Sequence, residues 1–208
     1  MYVNLNNYIN KKHIIKDIES KVDSLENIEK YLMEYNQVNG ILDEEYVRKK
    51  KIAIIDCDGI ISDGKSYYSE EGKALKRYGA YDKEMIKFLL KYNWDFYFVT
   101  DDSSGFSITE RRFNDFLGRS EHTFFKRLSP IERYKLVNLS KKEYNLVLFI
   151  GDSLSDIPSL LSADIGASVM NAPSIVKNYS DISSDNIGSE GALADILYFI
   201  HINNGKIR

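Results

Sequence analysis

Three stretches of the sequence place polar residues directly after runs of apolar ones. KIAIIDCDGIISDG carries Asp56 and Asp58, DFYFVTDDSS carries Thr100, and LVLFIGDSLSDIP carries Asp152 and Asp156. A buried strand that ends in paired carboxylates is unstable unless something compensates the like charges. A divalent cation with a preference for oxygen ligands, such as Mg²⁺, provides that compensation. We therefore expect a magnesium site where these stretches meet.

The spacing of Asp56 and Asp58 suits phosphoryl transfer. A carboxylate can attack phosphorus to form an aspartyl phosphate. A second carboxylate can give a proton to the leaving oxygen and then activate water. A single aspartate in such a place is more simply explained as a loop or helix cap. Two motifs, DxDG and GDxxxD, each after an apolar run and in this order, favour a catalytic site.

The elements that position these residues alternate along the chain. Continuous apolar runs separated by helical patterns predict an α/β fold, a Rossmann-like parallel sheet with helices on both faces. In such sheets ligands bind at the carboxyl ends of the strands, where the aspartates lie. The predicted strands are 52–55, 96–100, 123–125, 146–150 and 165–169, and the predicted helices are 82–92, 107–117, 129–139, 154–163 and 191–202.

Two segments depart from this alternation. After the first strand, residues 66–68 and 74–78 flank a turn that contains Gly72, which predicts a β-hairpin insertion. Residues 1–50 carry apolar positions at three- and four-residue steps between 14 and 32, which predicts an amphipathic helix and then a short one near 43–50. The expected organisation is an N-terminal helical extension, 1–50, and a catalytic core, 51–208.

Composition excludes several classes of function. The 208 residues have a formal net charge of -3, so nothing indicates a nucleic-acid partner. No apolar stretch is long enough to cross a membrane, and the N-terminus lacks the apolar core of a signal peptide. Cys57 is the only cysteine, which excludes an internal disulfide and is typical of a reducing cytoplasm. We expect a cytoplasmic protein without a membrane partner.

The motifs DCDGIISDG, Thr100 after its strand, and GDSLSDIP resemble those of the haloacid dehalogenase-like (HAD) phosphohydrolases. The hairpin segment EGKALKRYGAYD and the tail GSEGALADIL resemble the capless subgroup that contains 3-deoxy-manno-octulosonate 8-phosphate phosphatase and related sugar-acid phosphatases. The resemblance covers the chain from about Lys51 onward. It implies a Mg²⁺-dependent phosphatase that acts on a small phosphorylated metabolite, a sugar or sugar acid phosphate.

The resemblance also implies a role for each motif residue. Asp56 would be the nucleophile and a metal ligand, and Asp58 the general acid and base with its backbone carbonyl on Mg²⁺. Thr100 would hold a phosphoryl oxygen. Asp152 would complete the metal site, and Asp156 would support it from behind. The subgroup assembles as a homotetramer in which a neighbouring subunit helps to close each site, so an oligomer is expected here by likeness.

The chain departs from the family in its third motif. The lysine that balances the charge of the nucleophile and the phosphate aligns with Pro130 in FFKRLSPIERYK. We expect Lys126 or Arg127 to replace it, because loop residues at a strand end point into the crevice. Arg133 and Lys135 lie further along the helix. A lost lysine leaves open a second reading, a degenerate protein that binds a phospho-ligand or partner without turnover.

The residues that would contact the substrate also differ from the family pattern. Asp101 and Asp102 follow Thr100 where sugar-acid phosphatases have Gly-Arg, and Ala194 stands where the tail often carries Arg. These losses predict a less anionic substrate or the use of other cations, such as Lys73 or Lys76 of the hairpin. The candidate substrate contacts are Gly59, Asp82 and Asp101. Two further alternatives are a receiver domain that accepts phosphate on Asp101, which would have no need for GDSLSDIP, and a nucleic-acid 3′-phosphatase, which shares the chemistry but has no support from the acidic net charge.

Overall fold

The structure, a computed structural model, describes residues 42–207. The helix predicted between residues 14 and 32 lies outside the described residues, and the division of the chain at residue 50 stays a prediction. Among the described residues no helix is long and apolar enough to cross a membrane.

The predicted parallel sheet is confirmed. Six strands lie in the order β5-β4-β1-β6-β7-β8, and every neighbouring pair is parallel. The central strand β1 is buried along its whole length, as a strand covered on both faces must be. The bounds are β1 Lys51–Asp56, β4 Trp94–Thr100, β5 Thr123–Arg127, β6 Leu146–Ile150, β7 Ile165–Ser168 and β8 Ile182–Ser183.

Helices connect the strands close to the predicted positions. Pro130 is the first residue of its helix, and the backbone N–H of Ser129 donates to Glu132 at 2.9 Å, the capping interaction expected from the sequence. The bounds are α1 Glu44–Arg48, α2 Asp82–Leu90, α3 Phe106–Phe116, α4 Pro130–Ser140, α5 Ile157–Ser162, α6 Ser174–Asn178 and α7 Ala192–Ile202. The sequence did not predict α6 or β8, because five and two residues are too few to show a period.

The hairpin insertion is also confirmed and is longer than predicted. β2, Ser62–Ser69, pairs antiparallel with β3, Gly72–Tyr78, in a separate two-stranded sheet. The register shifts twice along the pair, which bends the hairpin. Because β2 begins six residues after the end of β1, the insertion stands directly over the carboxyl end of the main sheet.

The segment before β1 packs at the amino end of the sheet. Leu42 and Tyr46 are buried in the core, and the backbone N–H of Asp43 donates to Asn204 after α7 at 2.8 Å. The ammonium of Lys51 is enclosed and donates to the carbonyl of Tyr46 at 2.8 Å. Residues 42–50 therefore pack on the sheet domain, at the end away from the aspartates.

Candidate active site

The carboxyl ends of β1, β4 and β6 converge below the hairpin, as the topology requires. They border a cavity of about 290 Å³. Its lining includes Asp56, Asp58, Asp101, Asp102, Lys73 and Arg133. The sequence predicted that the first three of these would meet here.

The tight turn Cys57–Ile61 follows β1 and lies against Asp152, which comes after the end of β6. Gly59 in this turn has a φ of 89°, a conformation that favours glycine. A Cβ atom at Gly59 would lie 1.9 Å from Oδ2 of Asp152. The glycine predicted as a substrate contact therefore has a structural reason as well: it makes room for the Asp152 carboxylate.

Three carboxylates form the deepest part of the site. Asp56, Asp152 and Asp156 each offer one oxygen, and these oxygens all lie within 4.8 Å of one another. Burial, and next the charge of Asp156, raise the pKa of Asp56 well above its usual range. The same two causes raise the pKa of Asp152 to about 7. Ionised carboxylates are unstable in this arrangement, so the donor set fits a hard divalent cation.

Asp58 is oriented differently from these three aspartates. Its Oδ2 accepts a hydrogen bond from the Thr100 hydroxyl at 2.9 Å, and its Oδ1 accepts one from the Lys76 ammonium at 2.6 Å. The sequence predicted that Asp58 and Thr100 would lie together. The side-chain cluster that could hold a metal contains Asp156 rather than the Asp58 carboxylate.

A buried cation lies against the nucleophile candidate. Nη1 of Arg133 is 3.2 Å from Oδ1 of Asp56 and 2.7 Å from Oδ1 of Asp156. Its Nε donates to the carbonyl of Leu128 at 3.2 Å, which fixes the guanidinium plane. The Arg133 side chain is only 4% exposed. Arg133 therefore balances the charge of two site carboxylates.

Lys126 and Arg127, the cations expected from the sequence, lie elsewhere. Both are exposed at the end of β5, and neither makes a hydrogen bond or ion pair with a site carboxylate in the described part of the chain. The signal that would have found Arg133 is its place in α4. It lies three residues after Pro130, so it occupies the same helix face as the aligned position, one turn further along.

Two lysines of the hairpin contact carboxylates of the site. The Lys76 ammonium contacts Asp58 at 2.6 Å, Asp102 at 2.7 Å and the Thr109 hydroxyl at 2.9 Å. The Lys73 ammonium contacts the same oxygen of Asp102 at 2.5 Å. Partial burial alone would raise the pKa of Asp102, but the hydrogen bonds from the two lysines hold it well below its usual range.

Two predicted substrate contacts occupy different places. Asp101 is exposed at the edge of the cavity. Asp82 is the buried first residue of α2 and accepts a hydrogen bond from the backbone N–H of Ala194 at 3.2 Å. Burial raises the pKa of Asp82 to about 6. Asp82 joins α2 to α7 and is not among the residues that line the cavity.

No family model matches the sequence. Among curated proteins, a 3-deoxy-D-manno-octulosonate 8-phosphate phosphatase of Haemophilus influenzae is 27% identical over 162 residues, which cover 75% of this chain and 85% of that protein. A P-type magnesium-transporting ATPase of Escherichia coli is 43% identical over 60 residues, 29% of this chain. The match spans only 7% of the ATPase, so it concerns a short segment of a much longer protein.

Solved structures with the same fold are similar over most of the chain. The cobalt-bound phosphatase of H. influenzae gives a TM-score of 0.65 at 25% identity, over 77% of this chain and 92% of that one. The Moraxella catarrhalis phosphatase in complex with magnesium, phosphate and a 3-deoxy-D-manno-octulosonate (KDO) molecule gives 0.63 at 26% identity, over 80% and 93%. A HAD superfamily hydrolase of Legionella pneumophila gives 0.63 at 24% identity, over 83% and 93%, which shows the shared fold.

The predicted resemblance to the HAD-like phosphohydrolases is therefore confirmed, since the chain shares their fold and brings the motif residues together at one site. The narrower resemblance is confirmed as well. The chain is similar to the 3-deoxy-D-manno-octulosonate 8-phosphate phosphatases. These relatives are phosphatases, the enzyme class that the motifs predicted.

Proposed function

We propose that this protein is a Mg²⁺-dependent phosphatase that hydrolyses a small phosphorylated metabolite, a sugar or sugar acid phosphate, through an aspartyl-phosphate intermediate. The observation that carries the proposal is the position of Asp56. Its carboxylate lies at the end of the central strand, faces the cavity, and is paired with the buried guanidinium of Arg133. A buried nucleophile next to a fixed cation is the arrangement that phosphoryl transfer needs.

The residues that would hold the metal are the carboxylates of Asp56 and Asp152, together with the backbone carbonyl of Asp58. Asp156 is instead occupied by Arg133 and by the backbone N–H of Ser153, at 2.7 and 3.1 Å. It therefore supports the site from behind, the role the resemblance gave it. When bound, the cation would neutralise the carboxylates and stabilise negative charge on the phosphoryl oxygens. The M. catarrhalis relative contains magnesium, which supports the choice of metal.

In the proposed reaction an oxygen of Asp56 forms a bond to phosphorus as the ester P–O bond breaks. Asp58 gives its proton to the leaving oxygen, and then takes one from the water that attacks phosphorus and frees Asp56. The Thr100 hydroxyl beside Asp58 and the Arg133 guanidinium beside Asp56 would hold phosphoryl oxygens. Lys76, in contact with the Asp58 carboxylate, keeps that side chain oriented.

The alternative, binding without turnover, depended on the missing third-motif lysine. The buried Arg133 weakens that argument, because a cation is present beside Asp56 although it comes from another position of α4. We assign to Arg133 the charge-balancing role that the sequence gave to Lys126 or Arg127.

Hydrolysis of a generic aryl phosphate tests the function. Wild-type protein is expected to release phosphate with Mg²⁺ and to lose this activity in excess chelator. Restored activity after Mg²⁺ is added back excludes irreversible unfolding. If neither the aryl ester nor a broad panel of phosphorylated metabolites is hydrolysed with Mg²⁺ present, binding without turnover becomes the better account.

The carboxylate of Asp152 gives a prediction about pH and metal. Its pKa in the folded protein is about 7, above the usual 3.8, because of burial and the nearby Asp156. A raised pKa means that the folded state holds this proton more tightly than the unfolded chain, so stability is lost as pH rises from about 4 to about 7. Metal-free wild type is therefore expected to become less stable than Asp152→Asn over this range.

Thermal unfolding of the two proteins at pH 5 and pH 8 measures this difference. Added Mg²⁺ is expected to raise the Tm of wild type more at pH 8 than at pH 5, and to raise that of Asp152→Asn little at either pH. An equal response of both proteins to Mg²⁺ would remove Asp152 from the metal site.

Assembly and location remain part of the proposal. The hairpin exposes Tyr67, Tyr68 and Leu75, with 55%, 70% and 63% of each residue accessible, which supports a homo-oligomer of the kind expected by resemblance, a tetramer. Cys57 is a free, buried cysteine, which is compatible with a reducing cytoplasm. Light scattering on the purified protein tests the assembly, and a monomer at all concentrations would contradict it.

A further inference from the structure

The charges that line the cavity indicate which alcohol the phosphate ester carries. Each basic side chain at the site already contacts an acidic side chain. Arg133 lies between Asp56 and Asp156. Lys76 lies between Asp58 and Asp102, and its side chain is 1% exposed. None of these contacts leaves a cation directed at the open part of the cavity.

Lys73 is the second basic residue of the cavity lining, beside Arg133. Its ammonium contacts Asp102 at 2.5 Å, and the two side chains are 11% and 15% exposed. Ser104 and the backbone N–H of Gly105 also donate to Asp102, at 2.8 and 3.0 Å. Asp102 is therefore fixed, and it holds Lys73 and Lys76 together. A carboxylate on a substrate would have to compete with this partially enclosed ion pair.

Asp101 is different from the other acidic residues of the lining. It is exposed at the edge of the cavity, and within residues 42–207 it has neither a hydrogen bond nor an ion pair. Ser66 and Ser153 also line this space, and the Ser153 hydroxyl donates to Asp156 at 2.6 Å. The open edge of the cavity thus presents the exposed carboxylate of Asp101, to which no cation is directly bonded in the described residues.

We propose that Asp101 makes this site select phosphate esters of neutral, hydroxyl-rich alcohols over esters whose alcohol carries a carboxylate. The proposal rests on the proposed function and narrows its substrate class to neutral sugar or polyol phosphates. Hydroxyl groups of such an alcohol donate to the Asp101 carboxylate and exchange hydrogen bonds with Ser66. A carboxylate near Asp101 instead meets a like charge, which the Arg133 guanidinium offsets only in part because Asp56 and Asp156 hold it.

A matched pair of esters tests this selection. Hexitol 6-phosphate and the corresponding aldonate 6-phosphate differ only at C1, which is a hydroxymethyl carbon in the hexitol and a carboxylate carbon in the aldonate. Each ester is assayed as a substrate and as a competitor of aryl phosphate hydrolysis. Wild type is expected to prefer the hexitol ester by about tenfold or more, the size of one like-charge contact in a partly solvated site.

Two variants separate a local effect from the net charge of the protein. Asp101→Asn keeps the shape and removes the charge, and is expected to bring the preference close to one. Glu121→Gln removes an equal charge from a side chain that is 86% exposed at the other end of the sheet, and is expected to keep the preference.

The outcomes distinguish this proposal from the proposed function. If the protein hydrolyses aryl phosphate, three results overturn the proposed substrate selection and leave the proposed phosphatase activity standing. They are a preference for the aldonate ester, a preference that Asp101→Asn does not change, and failure of both esters to compete with aryl phosphate. Failure to hydrolyse every ester, the aryl phosphate included, overturns both.

Discussion

Asp56→Asn is expected to lower the rate of phosphate ester hydrolysis by about 10⁴-fold or more, the size of effect seen when an attacking group is removed. The amide cannot form the aspartyl phosphate, and it is a poorer metal ligand than the carboxylate. The measurement is kcat for an aryl phosphate at saturating Mg²⁺, compared with wild type from the same preparation.

The same variant has a second expected property that separates chemistry from folding. Burial and the charge of Asp156 raise the pKa of Asp56, so removing its charge relieves repulsion among the site carboxylates. Arg133 keeps its 2.7 Å contact with Asp156. The metal-free variant is therefore expected to unfold at the same temperature as metal-free wild type or higher. Activity within tenfold of wild type would contradict the role of Asp56 as nucleophile.

Arg133→Met is expected to lower the free energy of unfolding by about 3–5 kcal/mol in the absence of metal and to abolish turnover. The loss is large because truncation leaves two buried carboxylates, Asp56 and Asp156, without their cation. Chemical denaturation of the metal-free protein measures the stability, and aryl phosphate hydrolysis with Mg²⁺ measures the activity.

Three companion variants make the result specific. Lys126→Met and Arg127→Met change exposed residues and are expected to alter the stability by no more than about 0.5 kcal/mol. Arg133→Lys keeps a charge but loses the hydrogen bond that Nε donates to Leu128, so it is expected to be intermediate in both measurements. If Lys126→Met or Arg127→Met loses activity while Arg133→Lys does not, the residue at the end of β5, and not Arg133, balances the charge of the nucleophile.

The sequence alone predicted the parts of the fold that depend on local patterns. The apolar run before Asp56 could only be a buried strand, and its alternation with helical segments required a parallel sheet whose strand ends meet. The hairpin followed from the glycine turn between two tyrosine-containing strands. The elements α6 and β8 are too short to show a hydrophobic period in the sequence. Contacts with β7 hold both of them in place.

The candidate site was predictable only as far as each residue lay next to a strand end. Asp56, Asp58, Thr100 and Asp152 meet that condition. Arg133 lies inside a helix, and only the packing of α4 against the GDxxxD turn brings its guanidinium to Asp56 and Asp156. Position at a strand end did not indicate Arg133, because the approach of a buried helix face to the site depends on tertiary packing and not on local sequence.

The hairpin lysines illustrate the same limit. Nothing in the spacing of Lys73 and Lys76 shows that both would contact Asp102, because that contact depends on how the hairpin bends over the sheet. The Asp101-Asp102 pair that replaces a glycine and an arginine in the family pattern thus divides into two roles. Asp102 neutralises the charges of Lys73 and Lys76, and Asp101 remains exposed at the edge of the cavity.

The most direct measurement of the central claim is a search for phosphate on Asp56 during turnover. In Asp58→Asn the water that hydrolyses the aspartyl phosphate lacks its base, while an aryl leaving group needs little proton donation. Rapid mixing with an aryl phosphate is expected to give a burst of one aryl alcohol per active site, and acid-quenched peptide mapping is expected to place one phosphoryl group on Asp56. No burst and no labelled Asp56, from protein that still binds Mg²⁺, would contradict the aspartyl-phosphate mechanism.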